Sequence, residues 1–479
     1  MPTRRHFLER SLYAASLLAV GGCSSGPADR SGQAADSAHA AALLDDVERR
    51  TFLYFWETTD AGTGLAPDRW PTQPFSNIAA VGFALTAYPI GVERGWITRA
   101  QARERVRTTL LFFRDAPQGP EPAGRAGYKG FFYRFLDMRS GTRSSQSELS
   151  TIDTALLLAG MLFCQSWFDG AEPAESEIRA LVEQIYARVD WRWAQPRAPA
   201  ICLGWMPESG HLAGDYSGYN EAMLLYLLAL GSPSFAVDAA AWGAWTSTYG
   251  ARWVVDFYGQ TYLHYHPLFV HQFTHCWVDF RGVADAWMRV RGLDYFENSR
   301  RATLAQRAYA IANPEGWAGY GSDLWGITAS DGPADVQREF GGRVRRFISY
   351  AGRGIGGAHT YDDGTIAPYG AGASIAFAPE IAVPALQAMH TRFGNHLYGR
   401  YGFLDAFNLS FQFTDVALAH GRIVPGVGWF NLEYLGIAQG PLLAMFGNHR
   451  GEVVWRATRR NAHLRNGLLR AGMRGGWLG

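Results

Sequence analysis

The chain has 479 residues, of which 48% are hydrophobic, 14% aromatic and 18% charged, and its formal net charge is +1. This composition indicates a globular protein with a large core and excludes a disordered chain. The balanced charge leaves no electrostatic footprint for nucleic acid or for an anionic membrane surface, so we expect a polar, uncharged partner. Lys129 is the only lysine, which argues against Schiff-base chemistry and against a P-loop.

The first residues resemble a bacterial export signal. Arg4 and Arg5 precede an apolar run that ends in Val20-Gly21-Gly22-Cys23, which is typical of a twin-arginine signal with a lipoprotein cleavage box. An ordinary cleaved signal or a short anchor is the alternative, and the run is too short to span a bilayer comfortably. We therefore expect a signal over residues 1–23, a flexible tether over 24–39 and one domain over 40–479. Lipid on Cys23 would hold that domain on the periplasmic side of the cell envelope.

Apolar residues recur at helical spacing along the rest of the chain, and strand-like alternation is scarce. The pattern predicts an all-α protein in which helical hairpins form a toroid, with long loops at one mouth. The predicted helices cover residues 41–59, 100–116, 150–168, 174–189, 219–230, 236–249, 269–290, 299–312, 373–389, 437–446 and 452–459.

The loop over residues 204–224 has the composition of a sugar-binding cleft. It reads GWMPESGHLAGDYSGYNEAML. Aromatic side chains stack on the apolar faces of pyranose rings, and carboxylates hydrogen-bond hydroxyls or exchange protons with a glycosidic oxygen. An ordinary glycine-rich loop is the alternative. The candidate residues are three acids and three aromatic residues: Glu208, Asp215, Glu221, Trp205, Tyr216 and Tyr219.

Other acids and histidines are weaker candidates by themselves. Glu148 and Asp153 lie at the start of an apolar helix, where carboxylates are also stabilised by the helix dipole. His271 and His275 are spaced to share a helix face, but they lack the HExxH pattern, and we expect no metal site. We expect Cys164, Cys202 and Cys276 to be buried free thiols.

Longer segments resemble the bacterial glucoamylase-like family, which includes endo-β-1,2-glucanases and the transglycosylase region of cyclic β-1,2-glucan synthases. The resemblance spans nearly the whole mature chain. The segments that carry it include RTFLYFWETTDAGTGLAPDR, GFFYRFLDM, ELSTIDTALLLAGML, WMPESGH, YSGYNEAML, PLFVHQFTHCWVDFRG, YGSDLWGITASDGP, GTIAPYGAGASIAFAPE, YGFLDAFN and LGIAQGPLLAMFGNHRGEVVW.

This resemblance implies an (α/α)6 barrel with a central carbohydrate pocket. Glu221 matches the family's candidate general acid, with Asp153 or Glu148 as its partner and Glu208 as the second candidate for the acid. The further residues that we expect to contact sugar are Trp205, Asp215, Tyr216, Tyr219, His271, Gln272, Trp325, Asp331, Tyr369 and Glu380.

The chain departs from the family pattern near its end. Ala438 and Gly447 stand where relatives typically carry acids. The favoured hypothesis is a monomeric glycoside hydrolase that acts on β-1,2-glucan or its oligosaccharides without a cofactor. An exo-acting α-glucosidase and a non-catalytic carbohydrate-binding lipoprotein are the alternatives.

Overall fold

A computed structural model describes residues 27–73, 75–356 and 361–479. The chain divides into two compact units, Met1–Ala42 and Leu43–Gly479. The predicted signal and the lipidation site at Cys23 lie outside the described residues. The helix that crosses into the second unit begins at Pro27, so residues 27–39, which we expected to form a flexible tether, are helical. Their many alanines explain the difference, because alanine has the highest helix propensity.

Within the described ranges the chain forms fifteen α-helices and three short 3-10 helices. The α-helices are α1 (Pro27–Thr58), α2 (Ile78–Glu93), α3 (Arg99–Asp115), α4 (Thr151–Trp167), α5 (Pro173–Ala187), α6 (Met223–Gly231), α7 (Ala240–Thr246), α8 (Tyr249–Arg252), α9 (Ala286–Arg289), α10 (Tyr295–Ala312), α11 (Pro368–Gly372), α12 (Pro379–Leu397), α13 (Gly436–His449), α14 (Val453–Thr458) and α15 (Ala462–Arg470). The 3-10 helices are Leu268–His271, Thr274–Cys276 and Gly476–Leu478.

Helices with buried surfaces on all sides alternate along the chain with amphipathic helices. Nearly every residue of α2, α4, α6 and α13 is buried, as expected for helices that are apolar all round. The amphipathic helices α3 and α5 bury one face each. Helix α2 packs against α4 and α13, and α4 packs against α6. This alternation of inner and outer helices is the (α/α)6 barrel that the sequence predicts.

Polar caps determine where two inner helices begin. The Asn77 side chain accepts a hydrogen bond from the Ala79 backbone N–H at 2.9 Å and caps α2. The Ser150 hydroxyl accepts one from the Asp153 N–H at 3.1 Å and caps α4. Such caps satisfy backbone donors that have no partner inside the helix. Asn77 and Asp153, at these two helix starts, line the cavity described below.

The described strands are short and form small antiparallel sheets between the helices. They are β1 (Arg69–Trp70), β2 (Ser76–Asn77), β3 (Gly127–Tyr128), β4 (Phe131–Phe132), β5 (Phe135–Leu136), β6 (Leu149–Ser150), β7 (Gly204–Met206), β8 (Gly210–His211), β9 (Trp253–Phe257), β10 (Gln260–Leu263), β11 (Ala329–Asp331), β12 (Val336–Phe340), β13 (Arg343–Phe347), β14 (Tyr350–Gly352), β15 (Tyr398–Gly399), β16 (Gly402–Phe403), β17 (Phe407–Asn408), β18 (Arg422–Val424), β19 (Gly428–Phe430) and β20 (Tyr434–Leu435). The β11–β14 pair places Asp331 opposite Tyr350.

One predicted helix, residues 269–290, is wrong. The chain there forms two 3-10 helices, an irregular segment and α9. The Trp455 indole N–H donates to the His275 carbonyl oxygen at 2.7 Å, and the Asn448 amide donates to that of Cys276 at 3.0 Å. Side chains from other helices therefore satisfy carbonyl groups that a continuous helix would pair internally. Gly282, with a φ of 72°, interrupts the segment again.

Three helices were not predicted, namely α2, α11 and α15. Helix α8 overlaps a predicted helix only at Tyr249, and one predicted helix was displaced. Helix α2 is buried on all sides and therefore shows no polar face that would mark its period. Helix α15 was also missed, and α12 begins at Pro379 rather than at residue 373. Proline is favoured in the first turn of a helix, where its missing N–H costs no hydrogen bond.

The three cysteines of the described chain are free and buried, as predicted. None of the described helices combines the length and the apolar character that crossing a lipid bilayer requires.

Candidate active site

The barrel encloses a cavity of about 440 Å³, a volume within the range of small-molecule binding sites. Its lining residues come from loops and from the N-terminal ends of four inner helices: α2, α4, α6 and α13. The lining consists of Asp68, Arg69, Phe75, Asn77, Arg134, Phe135, Ile152, Asp153, Leu156, Tyr216, Glu221, Phe269, Phe273, Tyr350, Leu435 and Ile437.

Arg134 connects two of the predicted acids on one side of the cavity. Its Nε donates to Asp153 Oδ2 at 3.0 Å, and its Nη2 lies 2.8 Å from Glu148 Oε1. The Ser150 hydroxyl also donates to Asp153 Oδ2. The charge of Asp153 is the largest influence on Arg134 and raises the pKa of its guanidinium. Asp153 is therefore held in place as a hydrogen-bonded carboxylate.

Glu221 shares this part of the cavity and has a different environment. It lies just before α6, and its carboxyl lines the same space as Asp153. Burial raises the pKa of Glu221 above 4.5, and the nearby charge of Asp153 raises it further. Such a difference in environment allows one carboxyl group to donate a proton while the other stays ionised.

A second charged cluster surrounds Arg69, which also lines the cavity. Its Nη1 donates to Asp331 Oδ2 at 3.1 Å and to Glu433 Oε2 at 2.7 Å. Asp331, Glu433 and His420 have ligand atoms close enough to surround a cation. However, Arg69 Nη1 already lies within 3.5 Å of a side-chain atom of each of these three residues. The guanidinium group is thus the cation of this cluster.

Three of the predicted site residues line the cavity, namely Glu221, Asp153 and Tyr216. Glu148 joins them through Arg134, and Asp331 is connected to the cavity through Arg69. Burial raises the pKa of Tyr216 well above its ordinary value, and the charges of Glu221 and Asp153 add to that effect. Its hydroxyl therefore stays neutral and is available as a hydrogen-bond donor.

Four predicted residues lie outside the lining, and three of them are acids paired with arginine. Glu208 lies on the exposed surface, where the Arg143 guanidinium donates to it at 2.6 Å. Asp215 pairs with Arg197 at 2.6 Å, and Glu380 pairs with Arg300 at 2.6 Å. Trp205 packs its ring against Tyr128 and Trp193. The structure therefore places Glu208, our second candidate for the acid, and the other three predicted residues outside the lining of the cavity.

Four more predicted contacts are core residues. The Tyr219 hydroxyl lies 3.3 Å from His271 Nδ1, and burial lowers the pKa of His271 well below its ordinary value. The Gln272 amide donates to the Gly370 carbonyl and to the Ser374 hydroxyl, both at 2.8 Å. Trp325 is fully buried. These side chains support the barrel and do not line the cavity. Tyr369, in contrast, lines a smaller space of about 60 Å³ beside it.

Several residues of the cavity were not among the predicted site residues. Arg69 and Arg134 occur in two segments that carry the family resemblance, but no residue of either segment was a candidate. Asp68 receives a hydrogen bond from the Asn77 amide at 3.0 Å, and burial raises its pKa. Tyr350 begins β14, in a segment without a recognisable motif, and 52% of its surface is exposed. A lone tyrosine in such a segment gives no signal that it will face a cavity.

Residues 214–462, more than half of the chain, match the Glycoamylase family model, which is described as "Putative glucoamylase". The chain belongs to this family. Among curated proteins, this Glycoamylase family member is 27% identical over 446 residues to the exo-β-1,2-glucooligosaccharide sophorohydrolase (non-reducing end) of Parabacteroides distasonis. The match covers 86% of this chain and 55% of the relative, so the chain spans about half of that protein's length.

Solved structures give the same architecture. A "putative glucoamylase" from Bacteroides uniformis is 26% identical with a TM-score of 0.76, and the match covers 92% of this chain and 99% of that one. An endo-β-1,2-glucanase from Chitinophaga pinensis, solved with sophorotriose and glucose, has a TM-score of 0.77 at 24% identity, with 92% and 99% coverage. The second match supports the fold of this family member.

Proposed function

We propose that this protein is a glycoside hydrolase that cleaves β-1,2-glucan or its oligosaccharides. The observation that carries the proposal is the pairing of Glu221 with the Arg134-bound Asp153 in one cavity. The names of two relatives, a sophorohydrolase and an endo-β-1,2-glucanase, support the β-1,2 linkage.

The proposed mechanism uses the two carboxyl groups for different tasks. Because burial raises the pKa of Glu221, its carboxyl retains a proton to a higher pH and can deliver it to the leaving glycosidic oxygen. Asp153 is the partner carboxylate that glycoside hydrolysis requires. Arg134 and Ser150 fix its orientation, and Glu148 forms a second ion pair with Arg134. The chemistry needs no cofactor.

The lining also provides apolar faces for sugar rings. Phe75 and Phe135 lie with their ring centroids 4.1 Å apart, and both line the cavity. Tyr350 presents an exposed ring to the same space. Aromatic faces pack against the C–H faces of pyranose rings, whereas Asn77 and Arg69 offer hydrogen bonds to hydroxyl groups. A neutral oligosaccharide therefore fits both the shape and the chemistry of the cavity.

Product analysis tests this proposal. The protein without its signal is incubated side by side with linear β-1,2-glucan, β-1,3-glucan and maltooligosaccharides, and the products are separated. We expect oligosaccharides from β-1,2-glucan alone. Loss of a general acid typically lowers the rate by about 10²- to 10⁴-fold, which is the effect we expect for Glu221→Gln.

Glu208→Gln is the matched control, because it makes the same change in an acid outside the cavity, and it should keep full activity. Products from maltooligosaccharides alone would support the α-glucosidase alternative. Binding of β-1,2-glucan without turnover would contradict catalysis and support a binding protein.

We further propose that the protein is an exported, monomeric lipoprotein on the periplasmic side of the envelope. The support is the sequence of residues 1–23, with its arginine pair and its cleavage box before Cys23. Metabolic labelling with a radioactive fatty acid should mark the unaltered protein but not the Cys23→Ser variant. Equal labelling of both proteins would contradict the anchor, and sedimentation of the soluble domain tests the monomeric state.

A further inference from the structure

A small recess adjoins the main cavity. Its volume is about 60 Å³, and it shares the walls formed by Phe269, Phe273, Tyr350, Leu435 and Ile437 with the larger space. These shared residues place the recess at the side of the proposed sugar site. A volume of this size exceeds that of a single water site, and it suits a small substituent that projects from a bound ring.

Asp405 provides a polar group in the otherwise largely apolar wall of this recess. It is 2% exposed, and its Oδ2 accepts a hydrogen bond from the Asp331 backbone N–H at 2.8 Å. Its Oδ1 is buried and has no hydrogen-bond partner among the described residues. Because a buried polar atom without a partner is costly, this oxygen marks a place where a ligand group would be stabilised.

The charge around Asp405 decides which hydrogen bond it makes. Burial raises its pKa well above the ordinary value, and the charge of Asp331 raises it further. The raised pKa favours the protonated form of this carboxyl. Since Oδ2 accepts from the Asp331 N–H, the proton of that form resides on Oδ1 and is available for donation into the recess.

Ala438 keeps the recess open. It lies in the first turn of α13, is 3% exposed and lines the space together with Asp405. Its methyl group and the side chains of Leu435 and Ile437 form an apolar wall. A larger residue at position 438 would occupy the same volume. The recess thus combines an apolar wall, which suits a methylene group, with one hydrogen-bond donor, which suits a hydroxyl.

We propose that the recess binds the exocyclic hydroxymethyl group of a glucosyl unit in the main cavity, with Asp405 Oδ1 donating to its hydroxyl oxygen. The proposal rests on the proposed function, since it takes the ligand of the main cavity to be a glucan. It makes Asp405 and Ala438 determinants of specificity for a hexopyranose over a pentopyranose, which lacks this group.

Binding measurements test the proposal. Calorimetry compares sophorose, the β-1,2-linked glucose disaccharide, with the corresponding xylose disaccharide, both on the Glu221→Gln protein so that no hydrolysis occurs. A site that hydrogen-bonds a substrate hydroxyl discriminates strongly against an analogue without it, so we expect sophorose to bind at least about 10-fold more tightly. Adding Ala438→Leu should abolish this preference because the leucine fills the recess.

Two further variants make the test specific. Asp405→Asn should retain the preference, because the amide oxygen accepts from the Asp331 N–H while its NH₂ group donates into the recess. Ala462→Leu makes the same size change at an exposed position of α15 and should also retain it. Thermal melts verify folding, and Ala438→Val replaces Ala438→Leu if the leucine variant does not fold.

Equal affinity for the two disaccharides, an unchanged preference in the position 438 variant, or loss of preference in Asp405→Asn would overturn the proposal. The absence of binding of either sugar would overturn it as well. Hydrolysis of β-1,2-glucan by the unaltered protein tests the proposed function separately. Hydrolysis without a hydroxymethyl preference would refute the recess alone, and preference without hydrolysis would refute the catalytic function alone.

Discussion

At the scale of single residues, the buried carboxyl group of Glu221 reduces the stability of the fold near neutral pH. Glu221 is ionised less readily in the folded protein than in the unfolded chain, because burial raises its pKa above 4.5. The neutral Glu221 side chain therefore makes its full contribution to stability below pH 4.5. This contribution is lost as the pH rises through the pKa that Glu221 has in the folded protein. Catalytic groups commonly carry such a cost, because the environment that tunes their pKa does not stabilise their charge.

Glu221→Gln should accordingly raise the melting temperature near neutral pH, since the amide has no charge to desolvate. Below pH 4.5 the difference from the unaltered protein should disappear, because both side chains are then neutral. Scanning calorimetry at both pH values measures the effect, with Glu208→Gln as the control in an exposed ion pair. A variant that is equally or less stable near neutral pH would contradict the buried environment of Glu221.

At the scale of secondary-structure elements, two glycines allow the inner helices α2 and α4 to approach closely. A Cβ atom at Gly82 would lie 2.3 Å from the Leu156 carbonyl oxygen, and one at Gly160 would lie 2.1 Å from the Gly82 carbonyl oxygen. Both obstacles are backbone atoms, which cannot move without shifting a helix. Because Asp153 lies in the first turn of α4, this helix contact also positions the Asp153 carboxylate in the cavity.

Gly82→Ala should therefore destabilise the protein although alanine favours helices. Overpacking of a core costs about 1–3 kcal/mol, and we expect a loss in this range together with reduced activity. Gly243→Ala in α7 is the matched control, because a Cβ there meets no atom within 4 Å. It should leave stability unchanged or raise it by up to about 1 kcal/mol through helix propensity. Urea unfolding measures both, and equal stabilities of the two variants would refute the close contact.

At the scale of the whole molecule, the candidate active site lies within one unit. The cavity lining and helices α2 to α15 all lie within Leu43–Gly479. The N-terminal ends of four inner helices meet at the cavity, where their dipoles favour negative charge. This arrangement places acids from distant parts of the sequence, such as Asp68 and Glu221, around one space.

A chain that begins at Leu43 should therefore fold and act like the protein that lacks only its signal. We expect the melting temperature to change by no more than about 2 °C, which corresponds to a free-energy change of less than about 1 kcal/mol, and kcat/KM to stay the same. Calorimetry and the β-1,2-glucan assay check both quantities. A large loss of stability with retained activity would show that residues before Leu43 belong to the folded unit.

The sequence by itself determined the family and the all-α class, and it singled out Glu221 and Asp153, which line one cavity. These features depend on local signals: helical periodicity, long family segments, and the position of Glu221 and Asp153 at helix starts. Amphipathic helices such as α3 and α5 were predictable because one polar face marks the period, whereas the buried helix α2 was not.

Only the tertiary structure decided which polar residues reach the cavity. Arg143 holds Glu208 at the surface, and Arg69 joins Asp331 and Glu433 although more than 260 positions separate it from either acid. Such partners are distant in sequence. Their pairing depends on how the helices pack and on which buried charges need a partner of opposite charge. A short stretch of sequence shows neither the packing of the helices nor the buried charges. The ion pairs, the recess at Asp405 and the environment of Glu221 therefore follow from the fold alone.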